Sequence, residues 1–206
     1  VLAQLLLPGI AASRIASRMR RYGGVQSVSV TAWPAVKLLW ERADSVTVKA
    51  VDLKVSPAQA AKLVWEGRGA SSIQMTAQSA RVGRLRLREV SLRKRGDSLT
   101  GEGMTTAADV RAALPEGFAV QLVGSAGGVV EVKATGALFG VGASVDAVAG
   151  PSEGKLVAHP LGLLLGGLQL TLFADRHVHV DGVGASAVSG PGGEPGYRLT
   201  MSARLR

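Results

Sequence analysis

The sequence predicts an α+β fold, in which two or three helices are set against a long run of antiparallel strands. Three observations carry this. The first 22 residues have helical periodicity and end in Gly23-Gly24. Short stretches of apolar–polar alternation recur along the chain, and Val28-Ser29-Val30 is the clearest. From Ala119 onward, such stretches are separated by glycine-rich turns at 124–128, 150–154 and 190–196.

Within Val1 to Tyr22, Ile15, Met19 and Tyr22 recur at spacings of three and four, while Arg14, Arg18 and Arg21 take the other side. Arg20 and Arg21 suit the negative end of the helix dipole. Ser27 to Thr31 reads as a strand, closed by Trp33-Pro34 because proline has no N–H for a ladder. Leu38, Leu39 and Trp40 form an apolar knuckle. Val46 and Val48 resume the alternation, and Asp52 to Val55 continues extended. Ser56-Pro57 is an N-cap and first-turn pair for a helix that stops at Gly67 or Gly69. A strand over Ser72–Ala80 and a basic segment over Arg81–Arg95 follow. A short helix over Thr105–Leu114 is closed by Pro115. The remaining strands are expected at Ala119–Val123, Val129–Leu138, Ala143–Ala149, Lys155–Ala158, Leu168–Ala174, His177–Val180 and Tyr197–Arg204, with Asp181-Gly182 as a turn.

At 206 residues the chain is expected to form one domain, 1–206, with no linker and no fixed-period repeat. Hydrophobic residues make up 47% and the mean hydropathy is +0.24. No run approaches the ~20 apolar residues of a membrane span. The apolar content is therefore distributed, either in a tight Ala/Val/Gly core or in an interior that also holds an apolar ligand. The net charge of +9 favours anionic partners: nucleic acid, acidic polymers or anionic lipid headgroups. Aromatics are only 4%, which leaves few base-stacking platforms, so no nucleic-acid partner is expected. With no cysteine, thiol catalysis and disulfides are excluded.

Arg84-Leu85-Arg86-Leu87-Arg88 places three guanidiniums on one strand face and two leucines on the other. Such forks fit phosphate oxygens, though a solvated strand face explains the pattern too. His177 and His179, flanked by Asp175 and Asp181, would share one face of a strand as a conceivable metal or acid–base cluster. The polar face of a terminal hairpin explains them as well, and no metal or cofactor is expected. Gly124-Ser125-Ala126-Gly127 misses the nucleophile-elbow spacing. No phosphate loop and no paired carboxylates stand out, so no enzyme is expected.

Leu6-Leu7-Pro8-Gly9, Val28-Ser29-Val30, Trp33-Pro34, Leu38-Leu39 and Asp44-Ser45-Val46-Thr47-Val48 stand in an order that resembles the LmeA-type phospholipid-binding proteins of actinobacterial cell envelopes. The Thr106–Leu114 helix before Pro115, Lys155-Leu156 before His159-Pro160, and a final hairpin around Asp181-Gly182 look similar too. This resemblance covers nearly the whole chain at the level of pattern. It implies a tubular lipid-binding (TULIP-like) architecture, with a long amphipathic N-terminal helix packed in a strongly curved antiparallel sheet, and one or two further short helices. It also implies a cell-envelope or periplasmic location, with a signal or anchor removed upstream of Val1. The function expected is phospholipid binding without catalysis. Acyl chains would lie among Ile15, Met19, Val28, Val30, Leu85 and Leu87, with Trp33, Leu38, Leu39 and Trp40 at the groove wall or mouth. Arg84, Arg86 and Arg88 would contact headgroups or an anionic membrane surface. The alternatives are a structural envelope protein with a closed core, or a hydrolase whose site the sequence does not reveal.

Overall fold

A computed structural model describes residues 2–35, 38, 42–138, 141–162, 169–189 and 193–206. The fold is α+β and dominated by strand. In order the elements are α1 (Leu2–Met19), β1 (Gly23–Thr31), β2 (Ala43–Val55), α2 (Pro57–Glu66), β3 (Ala70–Val82), β4 (Leu85–Arg95), β5 (Ser98–Thr106), α3 (Ala107–Ala113), β6 (Ala119–Ala126), β7 (Val129–Leu138), β8 (Val141–Ser152), β9 (Lys155–Pro160), β10 (Leu170–Phe173), β11 (Val178–Ser189) and β12 (Pro195–Leu205). They form a seven-stranded sheet, β1-β2-β3-β4-β5-β12-β11, and a five-stranded meander, β10-β9-β8-β7-β6.

The larger sheet is antiparallel except at β2 and β3, which run parallel. A parallel pair needs a crossover, and α2 supplies it. That helix starts as the sequence predicts. Ser56 Oγ accepts the Gln59 N–H at 3.1 Å, and the Gln59 side chain accepts the Ser56 N–H at 2.8 Å, a complete capping box. At its far end the chain passes through a single 3-10 turn, Gly67–Gly69. There the buried Lys94 donates from Nζ to Ala70 O at 2.5 Å and to Arg68 O at 3.3 Å.

Two packed clusters hold the larger sheet. Met19 of α1, Val30 of β1, Val46, Val48, Ala50 and Leu53 of β2, and Ala77 and Ala80 of β3 form one. The buried positions on β2 step from Ala50 to Leu53, so they do not keep a period of two; the β1–β2 pairing shifts register opposite that step. Ala61 of α2, Leu99, Val178, Ala203 and Leu205 form the second, with Trp65 and Phe173 packed against it.

Four features differ from the sequence reading. The N-terminal helix is short, packs against the edge strand β1, and lies beside sheets that are not strongly curled. Asp181-Gly182 is not a turn; it lies inside β11 at a bulge, where the pairing with β12 shifts between Val180 and Gly182. β5 has no counterpart in the sequence reading. Its Gly101 and Gly103 interrupt any apolar alternation, and strand formation is imposed by pairing with β4 and β12. The basic segment is a hairpin, with Arg81 in β3, Arg84 beside the Gly83 turn and Arg86 and Arg88 in β4.

The two sheets meet at β11. The β6–β7 and β8–β9 turns bond to its outer edge: Val183 N–H donates to Gly128 O at 2.8 Å, and Val180 N–H donates to Gly154 O at 2.9 Å. An edge strand of the large sheet is thereby capped by the ends of the smaller one.

Candidate functional site

The five-stranded sheet has one largely apolar face, built by register, with the exposed Ser125 opposite Val130 as its polar margin. One cross-strand row runs Leu122, Val132, Ala147 and Pro160. A second runs Val120, Ala134 and Val145, and a third runs Val130, Ala149, Ala158 and Leu170. The opposite face is mixed: Lys133 and Asp146 stand in register and form an ion pair at 3.8 Å, while Val148 and the buried Val157 are apolar. Every side chain of the three rows is half-buried except Leu170, which is 63% exposed. None belongs to either packed cluster. Small alanines occupy the middle, and the larger Leu122 and Leu170 stand at the margins. Phe118 lies over one end; a Cβ on Gly136 would fall 2.6 Å from its ring. The result is a shallow apolar trough with no titratable group on its floor.

The groove residues expected from the sequence are distributed differently. Met19 and Val30 are buried in the first packed cluster, and Ile15, Val28 and Leu38 pack against it. Leu87 lies half-buried on β4, its Cβ 3.6 Å from where a Cβ on Gly103 would stand, and Leu85 is half-buried on the same strand. Trp33 is 73% exposed, and its backbone N–H is held by the Asp44 carboxylate. Leu39 and Trp40 lie outside the described residues.

Arg84, Arg86 and Arg88 are exposed at one end of the large sheet. Arg81 pairs directly opposite Arg86, and Arg88 opposite Met104. Arg86 lies 3.7 Å from the Asp109 carboxylate of α3, a partial compensation of its charge. Arg81, Arg84 and Arg88 have no ion-pair partner among the described residues. This corner therefore concentrates uncompensated positive charge.

The His177 region is structural in its contacts. The His177 ring stacks on Trp65 with centroids 4.1 Å apart, and Arg68 lies 4.5 Å from the centre of the same indole. Asp175 accepts the His177 N–H at 2.8 Å. His179 contacts Arg206 and stands 3.8 Å from Asp181. The bulge at Asp181 turns its carboxylate to Arg204, which donates to it from Nε at 3.0 Å and Nη2 at 2.7 Å. That bidentate contact holds the Asp181 carboxyl below the usual carboxylate range. Burial pulls the Lys94 amine below its ordinary value, against an opposing contribution from Asp97. No group of three metal-ligating side chains occurs among the described residues.

The sequence reading had the strands of the apolar trough but not the trough. Val130-Glu131-Val132-Lys133-Ala134 shows the period of two plainly. What it lacks is the pairing that sets five such strands with their apolar sides together. Chemically, the trough can bind apolar chains and the arginine corner can bind anions. The fold and these two surfaces define an α+β protein with an open apolar sheet face and a cationic corner. No protein-family model, no curated protein and no solved structure matches the chain.

Proposed function

We propose that this is a non-enzymatic phospholipid-binding protein of the cell envelope, akin to the LmeA-type proteins whose sequence pattern it resembles. The observation that supports it is the five-stranded sheet face, whose three cross-strand rows are apolar except at Ser125 yet only half-buried. The cluster around Met19 and Val30 is filled by its own side chains, so the acyl chains are placed on this trough instead. Each buried CH₂ contributes about 0.8 kcal/mol, so eight contacted methylenes give roughly 6 kcal/mol before the cost of ordering the chain. The arginine corner serves docking on an anionic membrane, with about 1 kcal/mol per charge near the surface. Lipid binding of this kind needs an accessible apolar face and does not need a closed tube.

Native mass spectrometry of the purified protein tests it, together with flotation on phosphatidylcholine vesicles with and without phosphatidylglycerol. Co-purified phospholipid is expected, lost in Val132→Asp and Ala147→Asp. Binding to the anionic vesicles is expected to fall with salt and in the Arg81→Gln, Arg84→Gln, Arg88→Gln triple variant. A protein that carries no lipid and binds neither vesicle would refute it.

A further inference from the structure

The opposite, polar face of the large sheet carries a second concavity. Two successive cross-strand rows make its floor. One runs Ser91, Glu102, Thr200 and Gly184 across β4, β5, β12 and β11; the next runs Arg93, Thr100, Ser202 and Gly182. The β6–β7 turn makes its wall. Ser125 Oγ accepts the Ala185 N–H at 3.0 Å, and Gly128 O accepts the Val183 N–H at 2.8 Å. The turn approaches this closely because β11 offers glycine beneath it: a Cβ on Gly182 would lie 3.3 Å from Gly128 Cα, and one on Gly184 would lie 2.6 Å from Thr200 Oγ1. The cleft is shallow and open to solvent, with Arg93, Thr100, Thr200 and Ser202 exposed, and its volume is about 520 Å³, within the range of small-molecule sites.

Its chemistry is that of a polar ligand. The hydroxyls of Ser91, Thr100 and Thr200 make no hydrogen bond among the described residues, so each can still donate and accept. Glu102 accepts from Arg198 at Oε1, and Oε2 accepts no hydrogen bond among the described residues. Arg93 has no ion-pair partner among the described residues. No aromatic ring lines the cleft, which disfavours a base or an aromatic ligand. Strand spacing sets these groups about 4.8 Å apart across the sheet and about 6.7 Å apart along it. That grid is comparable with the spread of hydroxyls around a hexose.

We propose that this cleft binds an acidic hexose, a sugar ring carrying one carboxylate or phosphate. The ring hydroxyls bond to Ser91, Thr100, Thr200 and Glu102, and the acid group pairs with Arg93. The site lies on the face of the sheet away from Leu87 and Val90, and its test uses none of the lipid-binding variants, so it stands or falls independently of lipid binding.

Amide chemical-shift titration of the ¹⁵N-labelled protein at fixed ionic strength tests it with four probes: glucuronate, glucose 6-phosphate, glucose and sodium sulfate. Either acid sugar, or both, is expected to shift amides of β4, β5, β12 and the β6–β7 turn with a Kd on the order of 1 mM. Which acid binds identifies the anionic group. Glucose is expected to bind about tenfold more weakly, a difference that Arg93→Gln removes. Thr100→Val, whose fold the same spectrum checks, is expected to weaken every sugar. The proposal is overturned if neither acid shifts these amides by about 30 mM, if glucose binds as tightly as the acids, or if sulfate alone does.

Discussion

Gly154→Ala gives a direct reading of the junction between the two sheets. Gly154 has φ +78°, and an added Cβ would stand 2.1 Å from His179 Nδ1 and 2.6 Å from Cε1. Two costs therefore combine. The left-handed backbone costs an L-residue about 1–2 kcal/mol. The clash forces the His179 ring or the turn to move, and overpacking of this kind costs about 1–3 kcal/mol. Movement of the turn also stretches the 2.9 Å bond from Val180 N–H to Gly154 O, worth about 1 kcal/mol. The sum is roughly 3–6 kcal/mol, a fall in Tm of about 6–24 °C for a chain of this size. Gly127→Ala isolates the backbone part, since Gly127 has φ +60° and a Cβ there would meet nothing within 4 Å. Urea unfolding of Gly154→Ala, Gly127→Ala, His179→Ala and the Gly154→Ala, His179→Ala pair completes the measurement. The pair is expected to be less destabilised than the sum of its members by about 1–3 kcal/mol, because deleting the ring removes the clash. If Gly154→Ala costs no more than Gly127→Ala, or if the pair is additive, the steric account of this junction is wrong.

Ser56→Ala removes the acceptor for the Gln59 N–H and is expected to cost about 1 kcal/mol in thermal unfolding, while Ser56→Asp keeps the cap. Asp181 has its carboxyl lowered by Arg204, so its contribution is present above the unfolded carboxylate value, about 3.9, and is lost as pH falls through the lower folded value. The stability difference between wild type and Arg204→Gln is therefore expected to be constant near neutrality and to shrink in acid; a difference unchanged at pH 2 counts against the pairing. Lys94 acts in the same sense but in the alkaline range. Its folded value lies below the unfolded one of about 10.4, so the unfolded chain binds more protons between the two, and stability from this group rises with pH across that window. Urea midpoints from pH 7 to pH 10.5 are expected to show a less favourable alkaline slope for Lys94→Met than for wild type.

The limits of the sequence can be traced to particular residues. Ser56-Pro57 announced α2 because a cap is a local hydrogen-bond arrangement that four residues specify alone. Val28-Ser29-Val30 announced β1 because alternation is local too. β5 was invisible, since Ser-Leu-Thr-Gly-Glu-Gly has little intrinsic strand signal and is held by partners on both sides. Asp181-Gly182 has turn chemistry, but the β12 pairing continues through it and absorbs the extra residue as a bulge. Met19 and Val30 were legible as apolar, yet nothing local says whether an apolar side chain meets a ligand or another side chain.

The α+β class, the capped helix α2, most strand positions, the net positive charge and the dispersed apolar content were all written in the chain itself. Those properties depend on neighbours a few residues apart. Which apolar faces close and which remain open was settled by folding alone. Folding also brought Ser91, Glu102 and Thr200 into one row and set the β6–β7 turn on β11. These outcomes depend on strand register between distant segments, and a shift of one residue would send every side chain to the other face.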